Sequence, residues 1–348
     1  MSEMRAARFY DPNMPIKVEQ VPVPEIGPGD VLVEVKACGI CGSDVHIMKG
    51  ETFPGKSPII IGHEGAGVVS SVGEAVLDWK AGDRVVIDCV TSCGTCFNCQ
   101  RGQDSICLNR QLTGIHLDGA LAQFVRVKPR NLIHLPPDID FETGSLATDA
   151  VATPYHALKA RAVLQSAESV AIFGIGGLGF HAVKLARLMG ASLIIAVDIS
   201  EAALERARDA GADAVIDANK EDPPDTIRRL TDHRGTDVAL ECVGQSQTVR
   251  WAAESVRPSG RVVVVGLGPE LLQLMSITEF VRGEISLIGS SAFEIKEIKE
   301  ILFLMHSGRL DLGSSITKTV SLDQINEALM ALSENSGGFI RIVVNRFQ

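Results

Sequence analysis

Two different patterns of hydrophobic and polar positions divide the chain. Up to about residue 150, apolar and β-branched residues come in short runs. Val31–Lys36, Gly67–Val72 and Arg84–Asp88 each hold enough of them for a strand. Gly27-Pro28-Gly29 and Ala81-Gly82-Asp83 supply turn chemistry between such runs. Short strands with turns of this kind predict a β-rich, barrel-like domain.

After Asp149 the spacing changes. Thr153–Ala162 has helical periodicity, and from Ser169 onward strands and helices alternate. The predicted strands are Ser169–Phe173, Ser192–Val197, Ala214–Ile216, Asp237–Glu241, Arg261–Val265 and Ile285–Ile288. Amphipathic stretches such as His181–Met189 and Glu201–Ala210 lie between them. This alternation predicts an α/β fold, a doubly wound parallel sheet with helices on both faces. The tail predicts helices over Ile295–Ser307 and Leu322–Glu334 and a last strand over Ile340–Asn345. We expect the tail to return to the first domain. The division is then 1–150 with 290–348 around an inserted 151–289, with a cleft between the two.

One turn in the second half carries chemistry. Gly174-Ile175-Gly176-Gly177-Leu178-Gly179 follows a predicted strand and opens a helix, the context in which G-x-G-x-x-G cradles a pyrophosphate. Asp198 ends the next strand, where a carboxylate can accept hydrogen bonds from the adenosine ribose and would repel a 2′-phosphate. Ile199 and Ser200 after it offer no arginine. NAD is therefore expected rather than NADP.

Eight cysteines change the picture of the first half, because five of them fall between Cys89 and Cys107. Cys93, Cys96, Cys99 and Cys107 are spaced C-x2-C-x2-C-x7-C. Four thiolates on one loop can close a tetrahedron around a structural zinc. Iron–sulfur ligation and buried free thiols also fit closely spaced cysteines, and Cys89 could compete for a place. A second constellation is dispersed: Cys41-Gly42-Ser43-Asp44-Val45-His46 and Gly62-His63-Glu64-Gly65 offer a thiol, a hydroxyl, two imidazoles and carboxylates. Taken separately, these also fit a core cysteine and structural histidines.

Composition excludes some functions. The formal charge of −10 argues against nucleic acid. Met1–Arg8 has charges but no apolar run behind them, and Ser169–Phe180 and Arg261–Leu267 are too short or too broken by glycine for a membrane span. A cytoplasmic protein without membrane attachment is expected.

Together, Cys-Gly-Ser-Asp-x-His at 41–46, Gly-His-Glu at 62–64, the cysteine loop, the Gly-rich turn and Asp198 resemble, in order, the medium-chain zinc alcohol dehydrogenase family. The resemblance implies a GroES-like catalytic domain split around a Rossmann domain, with two zinc ions per chain and NAD. It implies that Cys41 and His63 hold the catalytic zinc, with Asp149 standing where many members place a cysteine. Glu64 is the nearby carboxylate that exchanges with the water or substrate position, and which of Asp149 and Glu64 is the resting third ligand stays open. Ser43 takes the alcohol proton, and His46 passes it to solvent. Thr153 packs behind the nicotinamide ring, Arg341 pairs with the cofactor phosphates, and Gly177, Leu178, Ile199, Val265 and Leu267 complete the cofactor-lining set. Gly42 replaces a basic residue of some members.

The implied reaction moves a hydride between an alcohol and NAD, giving a ketone or aldehyde. Cys89 falls where many relatives place an aromatic, which suggests room for a secondary or cyclic alcohol. A polyol or sugar alcohol, or a cyclic alcohol linked to acyl-CoA, is the alternative. Pairing of Ile285–Ile288 across a two-fold axis is expected to give a homotetramer, with a homodimer as the alternative.

Overall fold

The computed structural model describes residues 2–52, 54–334 and 338–348. Ser336 and Gly337, in the run before Arg341, lie outside the described residues. The chain packs as two units, Met1–Ala152 with Ala292–Gln348, and Thr153–Ser291.

In the second unit, six strands of the described residues form one parallel sheet. Their order is Ala214–Asp217, Leu193–Asp198, Ser169–Phe173, Thr236–Glu241, Val256–Val264, Ser286–Gly289. Val170, Ala171, Ile172, Ile194, Ile195, Val238, Ala239, Val262 and Val263 are wholly buried, as a sheet covered on both faces requires. The chain starts in the middle, runs to one edge, and returns to build the other. The strand order therefore reverses between Ser169–Phe173 and Thr236–Glu241, the point where such folds bind ligands.

Boundaries differ from the sequence expectation where glycine and proline hide the pattern. The helix expected over His181–Met189 runs over Gly177–Leu188, because the glycines of its first turn carry no hydrophobic periodicity. The strand expected from Arg261 begins at Val256. Pro258-Ser259-Gly260 reads as a turn but lies inside the strand, with Ser259 at a φ of 60° and a register shift between Thr236 and Val238. The helix expected from Thr153 begins at Asp149, with Pro154 inside it, and ends in a π-helical turn over Ala157–Arg161.

In the first unit, the strand Val31–Ile40 is the axis. It pairs with Glu64–Val72 on one side, and with Phe124–Val127 and Arg341–Arg346 on the other. Arg84–Ile87 and Leu132–His134 extend the sheet beyond Glu64–Val72, and Ile316–Ser321 extends it beyond Arg341–Arg346. The late strands thus complete a sheet begun 300 residues earlier, and the pairing of Ile342 with Ile40 brings Arg341 beside Cys41. Val31, Val33, Ile40, Ile61, Val85, Leu121, Ile342 and Val344 fill the core between the faces. No helix among the described residues is long and apolar enough to cross a membrane.

Candidate metal and nucleotide sites

Cys41 ends the axial strand and starts the helix Gly42–Met48. Asp44 closes that helix's first turn by accepting the Cys41 N–H at 2.9 Å. His63 directly precedes the strand Glu64–Val72, and Asp149 is in the first turn of Asp149–His156. These elements bring one donor atom from each of Cys41, His63, Glu64 and Asp149 within 4.8 Å of one another. Cys41 Sγ lies 3.4 Å from Asp149 Oδ2, and His63 Nε2 lies 3.5 Å from the same oxygen. Zinc bonds of about 2.0–2.3 Å in a tetrahedron put ligand atoms roughly 3.3–3.8 Å apart, so this donor set fits the ion in spacing and chemistry.

The charges agree with that fit. Burial alone would push the His63 imidazole down in pKa, but the carboxylates of Asp44 and Asp149 outweigh it and hold it well above its ordinary range. Nδ1 of His63 is 3.6 Å from Asp44 Oδ1, and both atoms are buried without a hydrogen-bond partner. Glu64 is wholly buried, and its two carboxylate oxygens have no hydrogen-bond partner. Burial pushes its acid up to about 7, opposed by Arg341 and reinforced by Asp149. Arg341 Nη2 stands 3.4 Å from Glu64 Oε1. Burial works against the guanidinium's charge, but Glu64, Cys41 and Asp149 outweigh it and hold Arg341 firmly protonated. The carboxylates of Asp44, Glu64 and Asp149 and the Cys41 thiol crowd around His63 and Arg341, a buried set of acidic donors suited to a divalent cation.

Ser43 Oγ is 3.4 Å from His63 Nε2, at the edge of this cluster. His46, one turn further along the helix, pairs through Nδ1 with Glu51 Oε2, and both side chains are partly exposed. Cys89 is buried, with its thiol raised first by that burial and then by Asp149; the charge of His63 opposes the shift.

The four loop cysteines form the second donor cluster. Their sulfurs are 3.5 Å apart for Cys96 and Cys99, 3.8 Å for Cys96 and Cys107, and 4.0 Å for Cys93 and Cys99. Zinc–sulfur bonds of about 2.3 Å imply tetrahedral edges of about 3.8 Å. Backbone N–H groups donate to these sulfurs, Cys93 to Cys107 at 3.2 Å and Cys96 to Cys93 at 3.3 Å. Donors from Thr95 and Cys96 bring the Cys93 thiol down to about 5, whereas burial and the neighbouring Asp104 and Cys96 push Cys99 up to about 12. Glu294 anchors the loop, its carboxylate accepting Asp104 N–H at 2.9 Å and the Ser105 hydroxyl at 2.8 Å.

In the second unit, the Gly-rich turn joins Ser169–Phe173 to Gly177–Leu188, with Gly176 as a cap that has no side chain to fill the helix N-terminus. A Cβ on Gly179 would meet Gly174 O at 1.9 Å, so helix and turn approach as closely as the motif requires. Leu178 lies in the helix's first turn. Asp198 ends its strand and is tied to the turn: its carboxylate accepts Ile175 N–H at 2.6 Å and Ser200 N–H at 2.9 Å. Ile199 beside it is exposed. Val265 is buried, Leu267 is three-quarters exposed, and Thr153 is buried.

Sequence reasoning missed three residues here. Asp44 is inside a quoted motif, and its position three residues after Cys41 marks a capping box. Glu294 has no local signal, since it meets its partners about 190 positions away. Arg206, on the helix Glu201–Asp209, feels the charge of Asp198 and has a buried Nε without a hydrogen-bond partner.

This fold and these donor sets define a class, a zinc-binding dehydrogenase built on a nucleotide-binding sheet. Comparison with known proteins narrows it. Residues 27–137 match the alcohol dehydrogenase GroES-like domain, and residues 177–307 match the zinc-binding dehydrogenase domain. The chain is 32% identical over 345 residues to sorbitol dehydrogenase of Bacillus subtilis (strain 168), covering 98% of this chain and 97% of that one. It is 34% identical over 326 residues to alcohol dehydrogenase of Geobacillus stearothermophilus, covering 93% and 94%. A zinc-binding dehydrogenase from Sinorhizobium meliloti 1021 bound to NADP superposes with a TM-score of 0.90 at 30% identity, covering 99% of this chain and 100% of that one. The chain belongs to the medium-chain zinc-dependent alcohol dehydrogenase family. It is an oxidoreductase, and its cofactors are zinc and a nicotinamide dinucleotide, NAD or NADP.

Proposed function

We propose that the protein oxidises a secondary or cyclic alcohol to a ketone, or reduces the ketone, with NAD and two zinc ions per chain. The observation that carries the zinc-dependent chemistry is the donor set of Cys41, His63 and Asp149, spaced at 3.4 and 3.5 Å, and the substrate class rests on the buried Cys89. These three hold the catalytic zinc, with Glu64 beside them, and Cys93, Cys96, Cys99 and Cys107 hold the structural one. The first unit is the catalytic domain and the second the NAD-binding domain. When bound, zinc supplies Lewis acidity at the substrate oxygen and NAD accepts the hydride.

The chain's own groups handle the proton and the cofactor. Ser43 takes the substrate hydroxyl proton, and His46 conducts it outward, its ring oriented by Glu51 at Nδ1. Thr153, Val265 and Leu267 bound the nicotinamide. The backbone of Gly174–Gly179 receives the pyrophosphate. Asp198 binds the adenosine ribose, and its carboxylate disfavours a 2′-phosphate.

The test is absorbance at 340 nm with NAD and a panel of primary, secondary, cyclic and polyhydroxy alcohols, sorbitol included, with and without chelator. Chelator-sensitive turnover of secondary or cyclic alcohols supports the reading. Preference for sorbitol favours a polyol dehydrogenase, the activity named for the Bacillus subtilis relative. No turnover in protein shown to hold two zinc ions per chain overturns it. Assembly as a homotetramer, with a dimer as the alternative, is supported by the edge strand Ser286–Gly289 and by exposed Leu271, Leu272, Ile277 and Val281 in the same unit. Light scattering decides between them. A reducing, cytoplasmic setting is supported by eight unpaired cysteines.

A further inference from the structure

Glu241 is the last residue of Thr236–Glu241, paired with Phe173 at the carboxyl end of the sheet where the strand order reverses. It is wholly buried. A single carboxylate oxygen, Oε1, accepts three hydrogen bonds, from Val243 N–H at 2.8 Å, Gly244 N–H at 2.8 Å and the Thr248 hydroxyl at 2.7 Å. Its backbone carbonyl accepts Val265 N–H at 2.8 Å and Gly266 N–H at 3.1 Å. One residue therefore fixes two successive strand exits.

The two exits are locked together backbone to backbone. A Cβ on Gly244 would meet Leu267 O at 2.3 Å, and one on Gly266 would meet Gly244 N at 2.1 Å. Outside this contact, Glu270 Oε2 accepts Ser246 N–H at 2.8 Å, and Gln273 N–H donates to Ser246 Oγ at 3.0 Å. The segment after Val265 thus rests on the 242–246 turn, and that turn rests on Glu241. A buried carboxylate is an expensive way to cap a turn that an asparagine or serine could cap. The use of one here points to a turn that must be held rigid at the ligand edge of the sheet.

We propose that Glu241 is a positioning residue for the nicotinamide half of the cofactor, holding Cys242–Gly244 and through it Val265–Gly268 in the conformation that receives the ring. This rests on the reading that the second unit binds a nicotinamide dinucleotide at Gly174–Gly179. The adenosine half, served by Asp198 and the Gly-rich turn, is independent of Glu241.

The experiment compares NADH and ADP binding by calorimetry to the zinc-loaded full chain, as wild type, Glu241→Gln and Thr248→Val. Glutamine keeps the shape but weakens charge-assisted hydrogen bonds. The Kd for NADH and the KM for NAD are expected to rise about tenfold, with kcat changed less than about threefold and ADP affinity unchanged. Thr248→Val removes one donor and should move NADH alone by a smaller factor. It decides the matter by the same comparison if Glu241→Gln does not fold. Equal weakening of NADH and ADP, or no change in either, overturns the proposal. Wild-type protein that binds neither nucleotide overturns the nucleotide reading itself.

Discussion

Asp44 Oδ1 stands 3.6 Å from Nδ1 of His63, on the opposite side of the ring from the 3.5 Å approach of Nε2 to Asp149. A carboxylate behind a metal-binding imidazole fixes the ring's orientation and tautomer and makes it a better ligand. The same side chain caps the helix through Oδ2, so one buried carboxylate holds Cys41 and faces His63. Asp44→Asn keeps an oxygen for the cap and loses the charge. It should weaken retention of the proposed catalytic zinc by about 10- to 100-fold, read as metal loss in a chelator titration, while the cysteine-loop zinc stays bound. Equal chelator resistance in both proteins would remove Asp44 from this role.

The proton path makes a separate prediction. His46 and Glu51 pair on the partly exposed flank of the helix that also carries Ser43. If that pair conducts the proton released on alcohol oxidation, His46→Gln should lower kcat by about 10- to 100-fold near neutral pH. Added imidazole should restore part of it. Glu51→Gln should give a smaller loss in the same parameter, with KM for NAD unchanged. Loss confined to KM would point to cofactor binding instead.

Much of this arrangement was legible in the sequence, and the exceptions share a cause. The inner parallel strands read clearly because each is a run of consecutive apolar residues buried on both faces. The donor residues read through short motifs whose order resembled a family. What could not be read depends on distant partners. Glu294 reaches the cysteine loop about 190 residues back, and Arg341 meets Glu64 only because a late strand pairs with Ile40. Glu241 looked like an ordinary strand end. Its role emerges only when Val243, Gly244 and Thr248 fold back onto one oxygen. Glycine and proline blurred the rest, as at Gly177 and Pro258.

Asp88 predicts a pH dependence of stability. It is buried at the end of the strand Arg84–Ile87, and burial raises its acid to about 7. The Val90 N–H lowers it, and Glu294 and Asp104 raise it further. An unfolded aspartate titrates near 3.9. Because the folded value is the higher one, the native state holds the proton more tightly. The stabilisation is complete below about pH 4 and is lost as pH rises through about 7. Asp88→Asn can still accept from Val90 and cannot ionise. Its melting temperature should gain on the wild type between about pH 4 and pH 7 and hold that gain above about pH 7. A constant difference across that range would show that Asp88 does not titrate there.

If Asp198 binds the adenosine ribose, as proposed, cofactor choice depends on it and on Arg206. Asp198 accepts Ile175 and Ser200 N–H groups, which on that reading hold its carboxylate where a 2′-phosphate would sit. Arg206 lies close enough to feel that charge, and its Nε has no hydrogen-bond partner. Asp198→Ser removes the repulsion and leaves the arginine as an attraction for phosphate. The ratio of kcat/KM for NADP over NAD should rise at least about tenfold. Adding Arg206→Ala to that variant should take most of the gain away, because a 2′-phosphate then has lost its cation. If the single variant already prefers NAD as strongly as the wild type, another part of the pocket selects the cofactor. If the double variant keeps the gain, Asp198 acts by repulsion alone and Arg206 takes no part. Parallel kinetics with both cofactors on the three proteins separate these outcomes.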